Sequence, residues 1–423
     1  MRKSDVFLVL LTFFSLVILT AAPAKAGEID ILVEKLVEKG VLNHGEAAQI
    51  LTETKEEIRR QVVAGESASV PQWAQNMKMK GDFRLRYQNE KYKNTVDDRN
   101  RARIRFRLGA EGKVNEKLKV AAGLATGGSD PRSTNETLDN TFETPDIRLD
   151  YAYADWAAAP WLNVSAGKLN EIKKLIFRPT DLLWDSDIHP EGLSLQFSKK
   201  HSLSGSDEYL KFMTNAGFWI LDEASSDSSD PLMWVIQPGF EYGFADKKAN
   251  LKMALAYYGF NSAKDHLLDN GKSTNTTQNA VLKYDYSCPV ASFDLSVNEP
   301  FVSFDDGFIP SASLVGEYVV NPDADKNDTG YAVGVKLGAA KVSKANDWKL
   351  TYLYRRLEKD AWLDTFSDSD SYDGKTGIKG SEVILEYGLS KNTALALDAY
   401  WMNTIEGTSN PLRLVQLDWT MKF

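Results

Sequence analysis

The sequence predicts an all-β chain: a transmembrane antiparallel β-barrel of about sixteen strands behind a short N-terminal helical segment. Three observations lead there. Apolar and polar residues alternate with a period of two over most of the chain after Met77. The connections between those stretches alternate in length, short then long, a rhythm a soluble sandwich has no reason to keep. The chain also starts with a removable export signal.

That signal occupies residues 1–26. Arg2 and Lys3 supply the positive start, Val6 to Thr20 is apolar, and Ala24-Lys25-Ala26 is a small-x-small cleavage site. Residues 27–63 read as a helical segment on the periplasmic side. Ile29, Leu32, Val33, Leu36 and Val37 recur at helical spacing, and Asn43 with Glu46 forms a capping box for a second helix. So small a helical pair buries little by itself, which suggests packing between copies or against the barrel base. Residues 64–76 form a linker, and residues 77–423 the barrel.

Within the barrel the first strand alternates Met79, Phe83, Leu85 and Tyr87 with Lys78, Lys80, Asp82, Arg84 and Arg86. The second sets Ala102, Ile104, Phe106 and Leu108 against Arg101, Arg103, Arg105 and Arg107. The same rule gives strands at 119–126, 147–156, 162–169, 193–198, 209–221, 232–244 and 251–260, then at 279–286, 313–321, 329–337, 348–356, 381–389, 393–402 and 412–423. Phe293–Val297 leaves room for another strand, so the count is sixteen, with eighteen also open. In the last strand Val415, Leu417, Trp419, Met421 and Phe423 face one way, and Gln416, Asp418, Thr420 and Lys422 the other.

No later run is long enough for a membrane helix, but barrel strands are only half apolar and hide from hydropathy averages. Cleavage removes Arg2, Lys3, Lys25 and Asp5. That leaves 47 basic and 58 acidic groups, a net charge of −11 instead of −9. This balance disfavours nucleic acid as a partner. Cys288 is the only cysteine, so no internal disulfide forms; it reads as a small buried or lipid-facing residue.

Two constellations stand out. Arg84, Arg86, Arg101, Arg103, Arg105, Arg107 and Arg148 lie on the polar faces of their strands. Facing lipid, each would cost about 2–4 kcal/mol at the midplane, so they must face a wet lumen. The second is the third long loop, 170–191. It is too apolar to be left in water, with Ile176, Phe177, Leu182, Leu183 and Trp184. It also carries Arg178, Asp181, Asp185, Asp187 and Glu191. Folded back inside the barrel, it would narrow the passage and set carboxylates across from the arginines, a transverse field that orients polar solutes. A lid over the outer mouth is the other reading of this loop.

The stretches LVEKLVEKGVLNHGEAAQIL, FRLRYQNE, RNRARIRFRLGAEGKVNEKLKVAAGLATG and RPTDLLWDSDIHPEGLSLQF resemble the bacterial putative porin family. The terminal Phe423 is similar to the closing aromatic residue of outer-membrane barrels, which the barrel-assembly machinery reads. The resemblance spans most of residues 28–423 and implies an outer-membrane diffusion channel of a Gram-negative bacterium, assembled as a homotrimer. Passive passage of small hydrophilic solutes is the expected function. A solute-selective channel for anions, sugars or organic acids is the alternative, and a barrel-embedded hydrolase a more distant one.

The other acidic loop residues read as solvated outer surface, or as divalent bridges to lipopolysaccharide: Asp222, Glu223, Asp227 and Asp230; Asp323, Asp325 and Asp328; Asp360, Asp364, Asp368, Asp370 and Asp373. His44, His189, His201 and His266 show no zinc-ligand spacing, and no hydrolase or phosphate-loop motif is present. The sequence therefore assigns no catalytic residue, metal or cofactor. The arginine stripe predicts weak anion preference at low salt.

Overall fold

The computed structural model describes residues 77–423 apart from 96, 204–206, 224–229, 247 and 302–307, with residues 37, 43, 45–53 and 56 of the N-terminal part. The chain divides into two compact units, Met1–Gln75 and Asn76–Phe423. The export signal 1–26 and the linker 64–76 lie outside the described residues, as does most of the helical reading of 27–63. Residues 45–53 are helical. The Asn43 amide donates to the Glu46 carboxylate at 3.0 Å and the Glu46 amide to Asn43 Oδ1 at 2.9 Å. This reciprocal cap satisfies two N–H groups that the first turn leaves over.

The second unit is a closed antiparallel barrel of sixteen long strands among the described residues. They are β1 (Met77–Tyr92), β2 (Arg99–Lys113), β3 (Leu118–Thr126), β4 (Ile147–Ala159), β5 (Leu162–Lys168), β6 (Glu191–Ser202), β7 (Tyr209–Ile220) and β8 (Leu232–Phe244). The second half comprises β9 (Ala249–Asn261), β10 (Ser287–Asn298), β11 (Ser311–Val320), β12 (Thr329–Gly338), β13 (Trp348–Leu357), β14 (Ile378–Ser390), β15 (Thr393–Thr404) and β16 (Leu412–Lys422). Each strand pairs with the next, and β16 closes on β1 from Asp82↔Lys422 to Tyr92↔Leu412. Closure leaves no edge with unpaired backbone groups, which a hydrocarbon layer would not tolerate. Apolar side chains such as Leu124, Phe212, Ile236, Leu255, Val333 and Leu397 stand exposed on the outside. Arg86, Gln88, Gln237, Glu382 and Gln416 are buried on the inside.

One strand differs from the sequence reading. Residues 279–286 belong to a long loop, with only a two-residue ladder between Thr277–Gln278 and Val281–Leu282. The wall is built by Ser287–Asn298 instead, so the count stays at sixteen. Pro289 falls within this strand. It lies one position beyond the last pair with β11, Val290↔Val319, where that neighbour requires no N–H from it.

Phe423 completes the seam. The Gly81 amide donates to the Phe423 carbonyl at 2.8 Å, the Phe423 amide donates back at 3.0 Å, and its ring stacks near Phe106 at 6.2 Å. A Cβ on Gly81 would come within 2.5 Å of the Phe423 ring and 2.6 Å of the Arg107 carbonyl oxygen. Gly81→Ala should therefore cost about 1–3 kcal/mol, the usual range for overpacking. The check is the temperature at which unboiled protein loses its compact gel migration. An unchanged transition would mean that the ring swings aside freely.

The barrel interior is not an empty tube. The loops 170–190, 262–286 and 358–377 fold inward and pack on the wall of β7 to β11. Trp184, Trp219, Tyr258, Phe260, Trp362 and Phe366 form one aromatic cluster, with Trp184–Phe366 at 4.9 Å, Tyr258–Trp362 at 5.0 Å and Trp184–Trp362 at 5.6 Å. Such rings bury about 150–250 Å² each, which offsets part of the entropy of ordering the loops. The inward positions of these strands are accordingly apolar, including Met233, Val235, Ala256, Cys288 and Val290.

Candidate functional site

The polar half of the lumen lies on β16, β1 and β2. Antiparallel pairing lines their inward residues up in rungs: Asp418–Arg86–Arg103, Thr420–Arg84–Arg105, Gln416–Gln88–Arg101 and Lys422–Asp82–Arg107. Directly opposed like charges such as Arg84 and Arg105 repel, so the rungs need carboxylates nearby. Asp82 meets Arg105 at 2.7 Å and Arg107 at 2.8 Å. Asp418 chelates Arg86 through Nε at 2.7 Å and Nη2 at 2.8 Å, and lies 3.3 Å from Arg84. Glu90 pairs with Arg101 at 2.9 Å. Arg103 has no carboxylate within ion-pairing distance among the described residues. It donates to Gln88, Ser133 and the Asn135 carbonyl.

Two loops supply the remaining carboxylates from across the lumen. Asp187 lies 3.6 Å from Arg107 and accepts from the Thr134 hydroxyl at 2.9 Å and amide at 3.1 Å. Burial alone would raise its pKa, but Arg105, Arg107 and Arg84 outweigh that and hold it below the usual carboxylate range. Asp370 pairs with Arg86 at 3.0 Å, and that cation holds it low against the same burial. Asp368 is pushed up to about 7, by burial first and then by the charges of Asp181 and Asp370, although Arg355 opposes them. Burial and the neighbouring Asp187 and Asp368 likewise raise Asp185, which accepts from the Ser369 amide at 2.8 Å.

The loop 358–377 corrects the sequence reading. Asp360, Asp364 and Asp368 are buried, and Asp370 stands on the arginine ladder, so these are not solvated outer groups; Asp373 alone of that set stays exposed. Asp364 accepts from the Thr274 amide and hydroxyl, and Asp360 from those of Thr276. The signal was available: Ala361, Trp362, Leu363 and Phe366 are as apolar as the stretch that marked loop 170–191.

The residues singled out in loop 170–191 separate. Asp187 faces the ladder. Asp181 pairs at 2.7 Å with Arg355 of β13, which also contacts Asp368 at 2.9 Å and Glu382. Trp184 points into the aromatic cluster, because an indole gains more there than in a wet passage. Arg178 turns back on its own loop, donating to the Thr180 and Trp184 carbonyls. Glu191 is the first residue of β6, exposed and paired with Lys168 at 2.6 Å, so it is not opposite the ladder. Arg148 donates to the carbonyls of Gly128, Asp130 and Ser133 and ties down loop 127–146.

Arg132 escaped the sequence reading. Its side chain is fully buried and donates to the Asp364 carbonyl at 2.8 Å and the Asn270 carbonyl at 2.6 Å, joining three loops. At the outer end of the ladder a cavity of about 280 Å³ is lined by Arg101, Arg103, Ser133, Asn135, Lys272 and Asp370, among others.

A model of the family described as "Putative porin" matches residues 90–299 and 291–423. The high-pH structure of Pseudomonas putida OprB is similar at a TM-score of 0.52 and 12% identity, over 82% of this chain and 94% of that one. Salmonella typhi OmpF, in complex with daunomycin, gives a TM-score of 0.46 and 10% identity, over 82% of this chain and 97% of its own. Pseudomonas aeruginosa OpdQ gives 0.43 and 11%, over 82% and 99%. No curated protein matches by sequence. With the closed sixteen-strand wall and the family match over most of the barrel, the chain belongs to the putative porin family, channel-forming β-barrels of the Gram-negative outer membrane.

Proposed function

We propose that the protein is a passive diffusion channel for small hydrophilic solutes. Its narrow part lies between the arginine ladder and the carboxylates of loops 170–191 and 358–377. The contacts of Arg107 with Asp187 and of Arg86 with Asp370, from wall to loop, carry this reading. Solutes pass beside this polar wall because the opposite side is filled by the aromatic cluster.

Seven guanidinium groups on β1 and β2 meet six nearby carboxylates, Asp82, Glu90, Glu171, Asp187, Asp370 and Asp418. That balance gives weak anion preference. Stepwise conductance in planar bilayers should show it at 0.1 M salt, where the screening length is about 10 Å, and lose most of it at 1 M, where it is about 3 Å. Strong cation selectivity would overturn the reading. The extensive filling of the lumen also favours a second reading, a solute-selective channel; saturable block by one sugar or organic acid would identify it. No catalytic role belongs to either reading. The same proposal includes a trimer helped by residues 28–62, and recognition of Phe423 by the assembly machinery before it is sealed into the seam. Divalent bridging to lipopolysaccharide is confined to loop acids that stay exposed, such as Asp323 and Asp325.

A further inference from the structure

The short-turn end of the lumen, taken as the periplasmic end, has a second cavity of about 540 Å³ beneath loop 170–191. It shares no lining residue with the cavity at the ladder and lies against β4 to β7 and β9. Lys173, Lys174, Arg178, Lys211 and Lys252 line it, together with Gln196, Asn215 and Phe177, and no carboxylate does.

Two neighbouring acids bear on these cations: Glu171, at 2.8 Å from Lys173 and 3.9 Å from Lys174, and Asp294, in register opposite Lys252 but without an ion pair to it among the described residues. Glu241 stands in register between Lys211 and Lys252. Its carboxylate nevertheless accepts from the Tyr209 hydroxyl at 2.5 Å and from Asn250 at 3.1 Å. It makes no ion pair with either lysine among the described residues. Asp155 is held by Asn163 and by Ser165 at 2.8 Å. Lys252 is braced over the Phe177 ring at 4.3 Å. Five cations against Glu171, Glu241 and Asp294 leave a positive excess at the cavity, which a ligand of opposite charge would neutralise.

We infer that this cavity is a binding site for small multiply charged oxyanions of the phosphate type, entered from the short-turn side. Lys211 and Lys252 are its principal cations, with Lys174 closing it from the loop. A multivalent oxyanion offers several acceptors to converging ammonium donors, whereas chloride offers one charge and no fixed geometry. The inference adds a ligand class and a direction to the channel reading and partly rests on it.

The test uses the full mature protein inserted with one orientation in planar bilayers, with pyrophosphate added to one chamber at a time. Pyrophosphate on the short-turn side should reduce the current at a concentration roughly tenfold lower than on the long-loop side. Lys211→Gln with Lys252→Gln should weaken this block by about tenfold or more, as expected when two charge-assisted contacts are lost. Lys211→Arg with Lys252→Arg should retain it. Equal block from both sides, or block indifferent to the Gln pair, would overturn the site. Calorimetry of pyrophosphate binding to the detergent-solubilised protein separates the two readings. Binding that is lost in the Gln pair upholds the site even if no current flows, and absent binding overturns it even if the channel conducts.

Discussion

Trp362→Ala is expected to lower the unfolding stability of the barrel by about 3–5 kcal/mol, the usual cost of deleting a large buried aromatic. Trp362 is fully buried and touches Trp184, Tyr258, Phe260 and Phe366. Its loss removes the contact where loop 358–377 meets loop 170–191 and the wall, so the effect should reach the passage as well. The Asp185 amide donates to the Phe366 carbonyl at 2.7 Å, which couples the two loops through backbone. With the cluster emptied, both loops should move more, and conductance should be larger and noisier. Thermal loss of compact gel migration reads the first effect and single-channel recording the second. A variant as stable as the parent, with unchanged conductance, would mean that the aromatic cluster does not hold the loops in place.

The second large effect concerns charge. Arg103→Gln should lower the chloride-to-potassium permeability ratio about twofold at 0.1 M salt, a difference of about 0.4 kcal/mol between the two ions. Arg103 is the informative arginine because it has no ion-paired carboxylate to be orphaned; adding Arg105→Gln should deepen the shift, with Asp82 still held by Arg107. Asp370→Asn should act in the opposite direction by removing a carboxylate from the ladder. The pH dependence has a definite sign. Asp368, pushed up to about 7, is neutral below that pH and gains negative charge above it. Anion preference should therefore fall between pH 6 and pH 8, and Asp368→Asn should flatten that slope. Reversal potentials across a salt gradient measure all four. If Arg103→Gln and Asp370→Asn moved them the same way, the ladder would not be at the narrow part.

The sequence by itself determined the wall. A period of two allows only two faces, and an arginine cannot face lipid cheaply, so Arg84, Arg86, Arg101, Arg103, Arg105 and Arg107 were assigned inward from parity alone. The alternation of connection lengths set the architecture, and the capping box at Asn43 and Glu46 was legible because it spans only four residues. Tertiary structure decided everything that depends on which strands meet. Asp418 reaches Arg86 only because the last strand closes on the first, across 332 residues of chain. Asp370 and Asp187 reach the ladder only because their loops fold inward, and hydrophobicity alone does not say which acids those loops carry to which wall. The same holds for Ser287–Asn298, which takes the place in the wall that the sequence reading gave to residues 279–286. Side-chain parity is a local consequence of backbone geometry, whereas ion-pair partners and loop burial are set by closure of the whole barrel.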